Sequence, residues 1–193
     1  MPIAADTVAA NAIPIVFFGV ALVVLAVAVS ARFERRGRAA AWGGLIAYLL
    51  LILWVTLALG YGDPAGGTGG LNLTPLQEIR RALDSGHTSP WVNLLGNVAL
   101  FMPLGTLIAL LARGRWVARF VVATVWGLLI SVVIEVSQLG LGRVADVDDV
   151  ILNTLGALLG ALLAPVVVSA AHALSPNYDG SRASSSAGRA ADF

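Results

Sequence analysis

Apolar residues fill five long stretches of this chain, and the breaks between them hold most of its charge. A helix needs about 20 consecutive, mostly apolar residues to cross the hydrocarbon core of a bilayer. Runs 13–31 and 40–60 meet that requirement outright. Runs 91–112, 117–139 and 150–171 meet it while carrying Asn93 and Asn97, Glu135, and Asn153 respectively. The pattern predicts an all-α fold, a polytopic membrane bundle of about five transmembrane helices. Residues 1–12 precede the bundle, 13–174 form it, and 175–193 are a tail rich in Ser, Ala, Gly and Asp. Such a tail buries too little apolar surface to fold and is expected to be disordered. The competing reading of the first run is a cleaved signal peptide, since Ala28-Val29-Ser30 resembles a cleavage site. A signal peptide carries positive charge before its apolar stretch. Residues 1–12 contain Asp6 and no Arg, so the run is read as a retained span.

Charge then orients the bundle. Only 12% of the residues are charged, against about 25% in a soluble domain. All 12 basic side chains are Arg. Loops rich in Arg stay on the cytoplasmic side. Arg32, Arg35, Arg36 and Arg38, then Arg113, Arg115 and Arg119, then Arg182 and Arg189 fall on one side. Arg80, Arg81 and Arg143 fall on the other. The N-terminus is therefore expected outside, the tail in the cytoplasm, and loops 61–90 and 140–149 outside. Within the first of these loops, Leu73, Leu76, Ile79 and Leu83 recur at helical spacing, which predicts a short amphipathic helix over 72–82 on the membrane surface. The net charge of +1 offers nothing to nucleic acid, and the absence of cysteine excludes disulfides and thiolate metal sites.

Ionisable or strongly polar groups inside a membrane are costly and point to function. Measured from the middle of each span, Glu135 lies about 10 Å, Asn97 about 7 Å and Asn153 about 12 Å toward the outer face. Three helices of alternating direction thus place polar groups at one depth. Each group belongs to a stripe: Asn93 and Asn97; Ser131, Glu135 and Gln138; Asp149, Asn153, Gly156 and Gly160. The last two glycines form a GxxxG, which permits close helix approach. These stripes are expected to face one another. Pro103 predicts a kink that opens the outer half of its helix around a cavity; the competing reading is a tolerated proline with no role. Arg143 is the expected counter-ion of Glu135 or of an aspartate in the outer loop, where Asp146, Asp148 and Asp149 cluster. These carboxylates could bind a divalent cation through oxygen, but no complete loop motif is present, and no metal or cofactor is assigned. The competing reading is a hydrogen-bonded cap, because polar groups in lipid must find partners whether or not they do chemistry. His87 and His172 read as a loop residue and an end-of-helix residue.

Four ordered motifs carry a family resemblance. They are Asn72-Leu73-Thr74-Pro75-Leu76; the stretch from Asn93 through Asn97 and Pro103 to Gly105; Ile134-Glu135-Val136-Ser137-Gln138; and the stretch from Arg143 through Asp146, Asp148, Asp149 and Asn153 to Gly156. Over roughly residues 45–165 the chain resembles VanZ-like membrane proteins, a family named for a factor associated with teicoplanin resistance. Thr74 and Leu76 depart from the more usual Ile and Phe around that proline. The resemblance implies a small multi-pass protein of the bacterial cytoplasmic membrane and brings no established reaction.

Three functions compete. In the first, Asn93, Asn97, Glu135, Gln138, Arg143, Asp146, Asp149 and Asn153 bind the head group of an envelope lipid or a lipophilic glycopeptide, lowering antibiotic susceptibility. In the second, Glu135, desolvated in its span, is the candidate acid/base of an enzyme acting on a lipid-linked envelope precursor. In the third, the chain transports a solute. No inverted repeat supports that, and the polar layer occupies only the outer half. Membrane lipids are expected partners in every case, and the oligomeric state is left open.

Overall fold

In the computed structural model of the chain, residue 19 and residues 34–58, 70–85 and 88–173 are described. The first apolar run apart from Gly19, the tail from Ser175, and His87 lie outside the described residues. Helix α1 spans Glu34–Leu53 and passes into a π-helical turn at Trp54–Ala58. A short strand β1 (Gly70–Asn72) leads into helix α2 (Gln77–Ser85). Helices α3 (Thr88–Leu111) and α4 (Trp116–Gly140) follow, then strand β2 (Val144–Asp146) and helix α5 (Val147–Ala173).

Three helices, α3, α4 and α5, are long and apolar enough to cross a membrane, and Ala41–Leu57 is a shorter apolar helix. Their burial pattern suits a lipid surround. Helix α4 exposes Val117, Val121, Val125, Leu128, Leu129, Val132, Val133 and Val136 while burying Ala123, Gly127, Ser131, Ile134, Glu135 and Gln138. A contiguous apolar face of this kind is foreign to a soluble monomer.

The core is the seam between α3 and α5, with α4 and α1 packed against it. Small residues let these helices approach. A Cβ on Gly160 would run into the Met102 carbonyl, one on Gly156 into Val98, and one on Gly105 into Ala157. A Cβ on Gly127 of α4 would meet the Ala157 methyl. Ala157, Ala161 and Ala164 are buried along the same seam. Thr106 ties it across, its hydroxyl donating to the Gly160 carbonyl at 2.7 Å. On α1, Ala41, Leu45, Tyr48 and Ile52 form one buried stripe at helical spacing. Tyr48 donates its hydroxyl to the Leu100 carbonyl of α3 at 2.7 Å.

Two features differ from expectation. β1 and β2 pair in parallel, with Gly70, Leu71 and Asn72 opposite Val144, Ala145 and Asp146, so the membrane bundle carries a two-stranded ribbon at one end. The surface helix begins at Gln77 instead of Asn72, because Pro75 and Leu76 form a turn with Leu76 at a φ of 63°. The Leu76 carbonyl then accepts the first helical bond, from Arg80 N–H at 3.1 Å. Helix α3 continues through Pro103, which is buried within it.

Candidate functional site

The polar residues of α3, α4 and α5 come together at the end of the bundle that carries the ribbon. The chain arrives there through a glycine-dependent helix stop. After Gly140, Gly142 adopts a φ of 80°, its N–H donates to Leu139 O, and Arg143 N–H donates to Gln138 O at 3.0 Å. This paired arrangement ends α4 and satisfies its last carbonyls. Three residues later Asp146 starts α5. Its Oδ1 accepts from Asp148 N–H at 2.9 Å, a side-chain cap for the orphan amides of a helix N-terminus. Asp148 and Asp149 fill the first turn, where the helix dipole favours negative charge.

Glu135, buried on α4, accepts from Asp146 N–H through Oε2 at 2.8 Å, which joins the end of α4 to the start of α5. Asn97 of α3 donates its amide to Asp149 Oδ1. Asn153 of α5 donates to Ser131 Oγ of α4 at 3.0 Å. The Asn153 Oδ1 is buried and has no hydrogen-bond partner among the described residues. The three polar stripes thus meet as the spacing predicts, and two direct side-chain pairs link all three. Asn93 is exposed on α3, one turn before Asn97.

Arg143 is a counter-charge to Glu135 only through space, because its direct hydrogen bond goes elsewhere. Its Nη1 donates to the Thr56 backbone carbonyl at 2.7 Å, and Gln138 Nε2 donates to the same oxygen at 3.1 Å. Thr56 lies in the π-helical turn, and its own hydroxyl donates back to Ile52 O at 2.8 Å. A π turn breaks the regular backbone ladder and often marks functional positions. Here it presents a carbonyl to two side chains of the polar layer. The Arg143 charge acts on Glu135 through space, but Arg143 makes no ion pair among the described residues.

The loop aspartates are each engaged. Asp146 accepts from Asn72 Nδ2 at 2.8 Å through Oδ2, directly across the ribbon register. Asn72 also donates to Gln77 Oε1 at 2.9 Å, and its Oδ1 accepts from Thr74 N–H at 3.2 Å. Asp148, almost fully buried, accepts from the Leu76 N–H. Among the described residues no three of these groups are placed to hold a metal ion. Sequence reasoning missed Asn72, Thr56 and the backbone of Leu76. Asn72 opened a recognised motif and offered a signal, whereas the other two contribute only backbone atoms.

A cavity of about 860 Å³ lies toward the opposite end of the bundle, between α1, α3 and α4, lined by Arg38, Trp42, Leu45, Arg113, Trp126 and their neighbours. It contains none of the polar-layer residues.

A model of the family described as VanZ/LLP1 matches residues 45–168 of the chain. No curated protein and no solved structure matches. The matched stretch contains the ribbon, the four helices from α2 to the greater part of α5, and every residue of the polar layer.

Proposed function

The chain belongs to the VanZ/LLP1 family, and from that premise we propose that it is a multi-pass protein of a bacterial cytoplasmic membrane whose polar end binds an anionic group on an envelope lipid or a lipophilic glycopeptide. The arginine distribution supports an outward orientation of this end. The observation that carries the reading is the state of Arg143. It is half-buried, one nitrogen is used on a backbone carbonyl, and no carboxylate pairs with it among the described residues. A guanidinium has five N–H donors in a planar fork. The unused donors match a phosphate or carboxylate, and such charge-assisted bonds are strong where water is scarce. Exposed Asn93 stands on the same end and can orient neighbouring polar groups. The Asn97–Asp149 and Ser131–Asn153 pairs hold the frame.

The test is binding of fluorescent teicoplanin and of a polyprenyl diphosphate to the protein in nanodiscs. Arg143→Gln should weaken at least one of them by roughly tenfold or more, the worth of a hydrogen bond to a charged group. Unchanged affinity for both would remove Arg143 from the site and with it this reading.

Carboxylate chemistry on a lipid-linked precursor is the second reading, and one observation favours it. Glu135 is buried, yet only its Oε2 is bonded among the described residues. Turnover of a labelled precursor by the purified protein, lost in Glu135→Gln, would move the assignment to an enzyme.

A further inference from the structure

The cavity at the arginine-rich end has the form of a lipid site, and it is independent of the polar end. We propose that it holds one anionic phospholipid, its phosphate on Arg38 and Arg113 and an acyl chain along the groove between α1 and α4.

Three observations select this occupant. The lining is ordered by polarity. Arg38 and Arg113 stand at one end, both exposed, while Leu45, Leu49, Ile108, Val122, Trp126 and Ile130 form the walls. A single groove that runs from two guanidinium groups into aliphatic surface fits a molecule with an anionic head and an apolar body. The arginines are held near one another by the ends of their helices. Arg38 Nη2 reaches the Leu111 carbonyl at 3.5 Å, and Arg113 lies two residues beyond that carbonyl in the turn before α4.

The second observation is length. From Arg38 to Leu49 the α1 wall rises about 16 Å. That is close to the roughly 15 Å depth of one leaflet's hydrocarbon. A chain bound there would end near the mid-plane, as one leaflet's lipid does. The volume of about 860 Å³ lies in the range of ligand pockets.

The third is charge. These two arginines belong to the side that the arginine count places in the cytoplasm, where anionic lipid is enriched, and basic pockets between spans on that side take acidic head groups. Trp42, one turn from Arg38, supplies an amphipathic ring near the head-group level.

The experiment uses the full chain with Trp54, Trp91 and Trp116 replaced by Phe, leaving Trp42 and Trp126 as reporters. The protein is reconstituted in vesicles with brominated phosphatidylglycerol or brominated phosphatidylcholine, and fluorescence quenching is titrated. The anionic lipid should quench at much lower mole fraction. Arg113→Gln, which removes no hydrogen bond among the described residues, should reduce that preference roughly fivefold, the expected contribution of one interfacial arginine. Arg115→Gln changes the local charge equally without touching the groove and should leave most of the preference intact. Equal quenching by the two lipids would overturn the proposal, as would equal effects of the two arginine variants. No quenching by either lipid would put another occupant in the groove and would overturn it as well.

Discussion

At Asp148 a buried carboxylate secures a backbone turn. Leu76 sits at a φ of 63°, a left-handed conformation that costs a residue with a Cβ roughly 1–2 kcal/mol. Its N–H is bound by Asp148 Oδ1 from the first turn of α5. This bond offsets the strain and fixes the start of α2 against the polar end. Asp148→Ala should lower stability by about 1.5–3 kcal/mol, the worth of a hydrogen bond to a charged group. Asp148→Asn keeps the acceptor and should lose less. Thermal unfolding of the detergent-solubilised variants checks both, and equal losses would show that the Leu76 bond is not what Asp148 supplies. Residues of this kind were legible to different degrees. Asn97, Glu135 and Asn153 stood out because each interrupts an apolar run. The partners of Arg143 and Asp148 did not, because a backbone carbonyl and a backbone N–H leave no mark in side-chain chemistry. The charge on Arg143 suggested a carboxylate, whereas the structure supplies the Thr56 carbonyl of a π turn.

At the level of elements, helix pattern was the strong signal. Runs 91–112, 117–139 and 150–171 correspond to Thr88–Leu111, Trp116–Gly140 and Val147–Ala173, and the run 40–60 to α1 with its π turn. The ribbon was not readable, because three residues per strand are too few for an alternating pattern to register. The glycine spacing Gly156–Gly160 pointed to a close helix contact but not to its partner. That partner is α3, where Gly105 and the Val98 and Met102 carbonyls receive it. Gly160→Val should therefore force α3 and α5 apart and cost about 1–3 kcal/mol, the usual range for overpacking. Gly43→Ala, where the added Cβ would meet no other helix within 4 Å among the described residues, should be close to neutral. Unfolding midpoints of the two variants in the same detergent test this contrast; similar behaviour would mean that the α3–α5 seam is not tightly packed.

Across the whole molecule, the two ends of the bundle have opposite characters. One gathers Asn97, Ser131, Glu135, Gln138, Arg143, Asp149 and Asn153 into bonded pairs under a ribbon and a surface helix. The other opens a groove with arginines at its mouth. The sequence located the first because polar residues in apolar runs reveal depth and face. It could not reveal the second, which is a shape left between apolar helix surfaces and has no residue signature of its own. The chemistry of the polar end depends on helices far apart in sequence meeting there. The absence of cysteine from the chain makes that meeting directly measurable. With Asn97→Cys and Asp149→Cys combined, mild oxidation or a short thiol-bridging reagent in native membranes should join α3 to α5 in most molecules. Asn97→Cys combined with Ala164→Cys, about four turns further along α5, should give no product. Failure of the first pair to cross-link, or equal yields from the two, would contradict the convergence of the polar stripes.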